Sequence, residues 1–377
     1  MLLRAHHYAS RERIDVIVDN GLIRSIAPAG ARSPDFQADW IAPAFFDLQI
    51  NGCHGHNFSS EKLTPDAVHH VVNVCRSHGI AELLPTLITG SFEAVAHGLK
   101  TIRQAREQDH GLHQAIPGIH LEGPFISSED GPRGAHPKRH VRSPDWDEFR
   151  RWQDAAGGLV RLLTLAPELL GAISFIEKLV ASGVIVALGH TAADRKSIQA
   201  AIAAGARLST HLGNGSHAML PRHDSYIWEQ LAADELWASL ICDGQHLPSS
   251  LVKCFVRVKT PCRSILTCDA STLAGLPPGR YREWEQDFDV LPEGKIVVSG
   301  TPYLGGSWHF TDHCVGNLLR YTDVTLAEAI DMAGARPREL LGLPKRALEV
   351  GMPADLMLFD WQAGEDIKVR WIGERGA

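Results

Sequence analysis

Four residues of this chain have the types and placement of a hydrolytic metal site. His190 ends the apolar run V-I-V-A-L-G-H, His211 ends the next one in S-T-H-L, and Glu122 ends I-H-L-E. Two neutral imidazoles and one carboxylate make a three-ligand set that leaves a position of a divalent metal open to water. Asp269 closes S-I-L-T-C-D and adds a carboxylate that can take a proton from such a water and return it. Each residue has a plain structural alternative, a hydrogen-bonded core histidine or an aspartate capping a turn. Joint placement at the ends of successive apolar runs favours chemistry.

Those runs predict the scaffold. Eight of them, beginning at Trp40, Ile80, Ile116, Arg161, Val184, Arg207, Trp237 and Ser264, alternate with segments of helical periodicity such as Ala192 to Ala204. A series of β-then-α units predicts a closed parallel (β/α)8 TIM-like barrel, an α/β fold whose catalytic groups gather where the strands end. Gln49, Asn51, Glu168 and Asp243 stand at such ends too. The chain termini read differently. Ile14 to Ile26 alternates about an Asn20-Gly21 turn, a hairpin signal, and Ala354 to Asp360 is another short β segment. A small β-sandwich domain from residues 1–43 and 346–377 is therefore expected beside a catalytic barrel of 44–345.

Bulk properties narrow the partners. The 377 residues carry a formal net charge of −7, which gives no broad basic surface for a nucleic-acid backbone. No window approaches the roughly 20 apolar residues of a membrane span, and the first residues lack the apolar stretch of a signal peptide, so a soluble cytoplasmic protein without membrane partners is expected. Seven cysteines without a C-x-x-C pair read as reduced thiols.

Several segments carry a family resemblance. D-L-Q-I-N-G-C-H-G from Asp47, G-I-H-L-E-G-P-F from Gly118, T-L-A-P-E from Thr164, L-G-H-T from Leu188, T-H-L from Thr210, D-G-Q-H from Asp243 and T-C-D-A-S from Thr267 resemble the N-acetylglucosamine-6-phosphate deacetylase family, a branch of the amidohydrolase superfamily. The resemblance runs from about Leu22 to Phe359 in the same order. Many amidohydrolases have His-x-His on the first strand and a carboxylated lysine on the fourth; Gln49-Ile50-Asn51 and T-L-A-P-E stand there instead, which points to one metal. Zinc is the expected ion, with iron, manganese and cobalt also suited to a Glu-His-His site. Gln49 and Asn51 then orient ligands or water, and His54 and His56 are an alternative pair beyond the strand.

The resemblance implies hydrolysis of an N-acetyl amino sugar, most directly N-acetylglucosamine 6-phosphate, with Asp269 as acid and base. It implies that His136 in G-A-H-P polarises the acetyl carbonyl, a role in which losing one donor costs roughly 2.7–4 kcal/mol. Asn214, Gly215, Arg222 and His246 match positions that hold the sugar and its phosphate, although H-L-G-N-G-S-H-A-M-L-P-R-H-D-S departs from the usual pattern around them. Trp308 in G-G-S-W is a candidate for stacking on the sugar. A homodimer whose partner completes the phosphate end is implied as well. The competing readings are an amidohydrolase for a different N-acyl compound or a cyclic ureide, and a catalytically inactive barrel serving as a binding protein.

Overall fold

The computed structural model describes residues 1–284 and 286–373. Its centre is a (β/α)8 barrel. The eight parallel strands are Phe45–Ile50, Ile80–Ile88, Ile119–Glu122, Val160–Leu165, Ile185–Leu188, Leu208–Ser209, Trp237–Leu240 and Ser264–Leu266, each hydrogen-bonded to the next. Six fall within the predicted runs, while Val160–Leu165 begins one residue before its run and Ile80–Ile88 ends one residue after. The seam between the last and first strands is closed by an Ile50–Ala270 bridge and by the Asn51 amide donating to the Ala270 carbonyl at 2.9 Å.

Local sequence explains where the outer helices begin. Thr64, Ser91, Asp145 and Asp194 cap the helices Pro65–Ser77, Phe92–Gln108, Trp146–Ala155 and Arg195–Ala203, each side chain accepting from a backbone amide of the first turn. The predicted helical stretch from Ala192 to Ala204 forms Arg195–Ala203 and buries Ile198 and Ala201 against the sheet. An extensive apolar layer, including Val68, Leu83, Leu99, Phe149, Trp152 and Phe255, fills the space between strands and helices.

The barrel interior is layered. Its floor is apolar, with Phe46, Leu48, Leu84, Leu162, Trp237 and Ile265 closed from below by Leu340 and Leu341. Glu82 and Arg338 form a buried ion pair at this end. A polar tier lies above, in which His120 Nε2 is 2.8 Å from Thr164 Oγ1 and Thr164 Oγ1 is 2.7 Å from Thr210 Oγ1. The strand ends above this tier hold the candidate catalytic groups.

Strands from both chain ends build the small β-sandwich domain. Leu2–His7, Arg13–Asp19, Leu22–Pro28 and Phe36–Pro43 join Leu356–Asp360 and Lys368–Ile372 in one six-stranded sheet. Its core contains Leu3, Val16, Ile23, Ile41, Leu356 and Leu358. The predicted hairpin turns at Asn20 and Gly21, with φ of 49° and 68°, the paired positive values that a two-residue turn matching strand twist requires. Residues 374–377, the end of the segment expected to join this domain, lie outside the described residues. No helix among the described residues is long and apolar enough to cross a membrane.

Candidate active site

Glu122, His190, His211 and Asp269 come together at the strand ends, all buried. Three of them have left-handed backbones, with φ of 52° at His190, 30° at His211 and 54° at Asp269. Such conformations cost of order 1–3 kcal/mol for a residue with a side chain and persist where packing imposes them. Here the chain turns sharply off each strand, and the side chain aims over the barrel axis.

The donor set fits a divalent cation. His190 Nδ1 lies 2.8 Å from the Pro132 carbonyl. A carbonyl only accepts, so in the neutral ring Nδ1 carries the proton and Nε2 offers a lone pair. That lone pair faces Glu122 Oε1 at 3.1 Å, and His211 Nε2 faces the same oxygen at 2.9 Å. Lone pairs this close repel unless a proton or a metal ion lies among them. Gln49 Nε2 donates to Oε1 as well, at 2.9 Å, and steadies the carboxylate. His136 approaches from the other side, its Nε2 3.9 Å from Glu122 Oε2. The ligand atoms of Glu122, His136 and His190 all lie within 4.8 Å of one another.

Burial affects the two carboxyls differently. Burial alone would raise Glu122, but hydrogen bonds and charge from His190 and His211 hold it well below the ordinary carboxylate range. Burial drives Asp269 well above that range, and the Glu122 carboxylate pushes it further in the same direction. Two carboxyl groups whose surroundings separate them in this way suit one for ligation and the other for proton transfer. Burial, reinforced by His190, brings His136 down to about 3. His136 is therefore a neutral ring whose Nδ1 is engaged by Thr89 Oγ1 at 2.8 Å.

Supporting contacts come from the carboxylates of Asp47, Asp243 and Glu168. Asp47 is fully buried and accepts from Thr267 Oγ1, Thr311 Oγ1 and the Cys268 and Gln49 amides, at 2.5 to 2.9 Å. It ties the first strand to the segment immediately before Asp269. Asp243 Oδ2 is 2.8 Å from His246 Nδ1 and fixes the orientation of that ring. Glu168 stays outside the cavity and accepts from Thr191 Oγ1 and the Ala192 amide, holding the loop after His190.

A cavity of about 250 Å³ opens above these groups. Asn51, His136, Asn214, Gly215, His246 and Asp269 all reach its wall. Gly215 has φ of +56°, and a Cβ there would sit 2.7 Å from His190 Nδ1. Glycine at this position lets the loop after the sixth strand close over the imidazole. Arg222 and Trp308 are not brought to the wall. Arg222 is exposed on the turn preceding the helix Tyr226–Ala232, and Trp308 packs beneath the outer sheet with its Nε1 donating to the Leu276 carbonyl at 2.9 Å. His54 and His56 also lie away from the ligands, against His70.

Sequence reasoning did not single out His217, Trp284 or Tyr303, which line the cavity. His217 Nε2 is 3.1 Å from Glu129 Oε2 and joins the loop carrying His136 to the loop carrying Asn214. A half-buried His and an exposed Glu far apart in sequence give no local signal. Trp284 and Tyr303 come from an outer sheet inserted after the eighth strand.

No family model matches the chain. It is 39% identical over 337 residues to N-acetylglucosamine-6-phosphate deacetylase of Bos taurus, spanning 85% of this chain and 79% of that protein. It is 30% identical over 358 residues to N-acetylgalactosamine-6-phosphate deacetylase of Escherichia coli O157:H7, spanning 94% and 92%. A mutant N-acetyl-D-glucosamine-6-phosphate deacetylase from Mycobacterium smegmatis, solved in complex with N-acetyl-D-glucosamine-6-phosphate, superposes with a TM-score of 0.89 at 29% identity, covering 100% of this chain and 98% of that one. An enamidase of the amidohydrolase superfamily shares the fold, with a TM-score of 0.58 at 13% identity.

Proposed function

The chain belongs to the N-acetylglucosamine-6-phosphate deacetylase family, and we propose on that premise that it hydrolyses N-acetylglucosamine 6-phosphate to glucosamine 6-phosphate and acetate. The observation carrying this reading is the convergence of His190 Nε2 and His211 Nε2 on one oxygen of Glu122, with a protonatable Asp269 beside them. Glu122, His190 and His211 would hold a single divalent ion, zinc in the first instance. When bound, such an ion supplies a Lewis acid that acidifies water and polarises a carbonyl.

The protein's own groups account for the remaining steps. Asp269 accepts a proton from the attacking water as the new C–O bond forms at the acetyl carbon. It then delivers that proton to the sugar nitrogen as the C–N bond breaks, so that a neutral amine departs rather than an amide anion. His136 donates from Nε2 to the oxygen that gathers charge, which requires Thr89 to donate to Nδ1. Asn51 holds Asp269 in place, and Gln49 does the same for Glu122.

Asn214, Gly215 and His246 would bind the sugar and its phosphate. No arginine or lysine among the described residues lines the cavity, so we assign exposed Arg222 a phosphate role across a homodimer interface. Trp308 stands off the cavity wall, with its N–H donating to the Leu276 carbonyl. A cytoplasmic location suits an enzyme of amino-sugar metabolism.

One relative of similar coverage acts on the galacto epimer, which supports N-acetylgalactosamine 6-phosphate as a second reading. Acetate release from the two epimeric 6-phosphates and from unphosphorylated N-acetylglucosamine, measured on metal-loaded protein, separates the possibilities. Preference for N-acetylglucosamine 6-phosphate is expected. Preference for the galacto epimer would retain the mechanism and change the substrate, and equal rates with and without phosphate would remove the phosphate role of Arg222 and His246.

A further inference from the structure

Immediately after the first barrel strand the chain makes a tight hairpin that the proposed reaction does not use. Gly52–Cys53 pairs with His56–Asn57, Cys53 standing opposite His56, and the two turn residues, His54 and Gly55, have φ of 51° and 83°. Paired positive values suit a two-residue hairpin turn, and histidine is among the side chains that tolerate them best. The turn is pinned to the segment following the eighth strand, where the His54 and Gly55 amides donate to the Ala274 and Thr272 carbonyls at 2.9 and 2.8 Å. His54 and His56 are thereby held beside His70 of the helix Pro65–Ser77, whose opposite face is buried through Val68, Val71, Val72 and Cys75.

Both rings approach His70 at the spacing of co-ligands. The His54–His70 and His56–His70 centroids are 5.6 and 4.6 Å apart, values that bracket the 4.9 Å between His190 and His211, the pair assigned to the catalytic ion. None of the ring nitrogens of these three residues has a hydrogen-bond or ion-pair partner among the described residues. Neighbouring histidines differ: His69 Nε2 is 3.9 Å from Asp109 Oδ2, His78 Nδ1 is 2.8 Å from Asp312 Oδ2, and His97 Nε2 is 3.1 Å from the Leu63 carbonyl. Burial lowers His54 and His56 below the ordinary imidazole value, with His70 adding to the effect, so their lone pairs are free at neutral pH. His54 and His70 are exposed and His56 is half-buried. An ion reaches the rings from solvent, and the exposed side chains can turn to meet it without giving up a bond.

We propose that His54, His56 and His70 form a second metal site, on the surface beside the barrel mouth, for a divalent transition ion such as zinc, with water completing the coordination. Imidazole ligands select zinc, copper or nickel over magnesium and calcium, which take oxygen. The site shares no residue with Glu122, His190 and His211, so it stands whether or not the deacetylase reading holds.

Equilibrium dialysis of the full-length protein against zinc alone, at micromolar free metal and with Tm and acetate release measured alongside, provides the test. His70→Ala suits an exposed helix position, alanine being the best helix former. It is expected to bind one zinc fewer per chain than wild type, with Tm and turnover unchanged. His56→Ala should lose the same ion, whereas His69→Ala, one position earlier on the helix and facing Asp109, should keep it. Glu122→Ala should lose the catalytic ion and keep this one, so failure of either site is read separately. Equal zinc in wild type and His70→Ala overturns the proposal, as does an equal loss in His69→Ala, which would mark scattered surface binding. Displacement of the ion by excess magnesium overturns it as well, since that behaviour belongs to an oxygen site.

Discussion

Asn51 Nδ2 donates to Asp269 Oδ1 at 2.7 Å across the seam where the last barrel strand meets the first. With Oδ1 engaged as an acceptor from Asn51, Oδ2 is the oxygen left to take up and return a proton. The barrel closure itself therefore determines which oxygen exchanges the proton, because the residue that bridges the seam, Ala270, directly follows Asp269.

Replacement of Asp269 by Asn preserves size and removes the titrating group. Turnover should fall by about 10²- to 10⁴-fold, the usual contribution of a positioned acid or base. Metal content measured on the same sample should be unchanged, since the proposed ligands are Glu122, His190 and His211. Near-normal turnover in Asp269→Asn would remove this residue from the mechanism.

Gly215→Ala examines the metal site from its outer side. The added Cβ would lie 2.7 Å from His190 Nδ1 and 3.0 Å from Cε1, at a φ of +56° that side chains rarely adopt. The ring would have to leave the Pro132 carbonyl that sets its tautomer. Disturbing such an outer partner typically costs 10- to 100-fold in metal affinity, so a loss of about that size is expected in a competition titration with a chelator. Unchanged affinity would mean that His190 is not a ligand or that the loop yields freely.

The barrel was legible because its strands are continuous apolar runs that end in polar residues, as a sheet buried on both faces requires. Glu122, His190, His211 and Asp269 were visible for the same reason, since each interrupts an apolar run at its end. Asp47 also lies within such a run, but its role depends on Thr267 and Thr311, which only folding brings near. Trp284, at a turn of the inserted sheet, and Trp308, in the loop that follows it, show the limit more sharply. Both are aromatic residues in polar, glycine-containing surroundings, and nothing local distinguishes the ring that lines the cavity from the one packed beneath the sheet. Arg222 was assigned by position in a segment whose pattern had already changed, and the altered loop leaves it exposed.

At the opposite end of the barrel, Arg338 forms a buried pair with Glu82, and its Nε donates to the Pro344 carbonyl at 2.8 Å. Arg338→Met should destabilise the protein by about 3–5 kcal/mol, because it leaves a buried carboxylate without its guanidinium. Adding Glu82→Gln should restore part of that loss. Chemical denaturation of the two variants checks this, and an additive double variant would show that the charges do not interact. The site lies at the other end of the barrel, so metal content should be unaffected.

Lys259 provides a pH signature unrelated to catalysis. It ends the helix Ser249–Lys259, is buried, and donates from Nζ to the Ala233 and Leu236 carbonyls. Burial lowers its pKa from 10.5 to about 8, with Arg263 assisting and Asp234 and Glu235 opposing. Between these values the unfolded chain is protonated at this lysine and the folded chain is not, so unfolding takes up a proton and stability from this group rises with pH. The full shift corresponds to roughly 3 kcal/mol as an upper bound, gained as pH rises from about 8 to about 10.5 and absent below about 8. Lys259→Met cannot titrate, so the denaturation midpoint of wild type relative to this variant should move in favour of wild type as pH increases through that window. Parallel profiles for the two proteins would show that Lys259 keeps its charge in the fold, with the two carbonyls solvating the ammonium well enough to offset its burial.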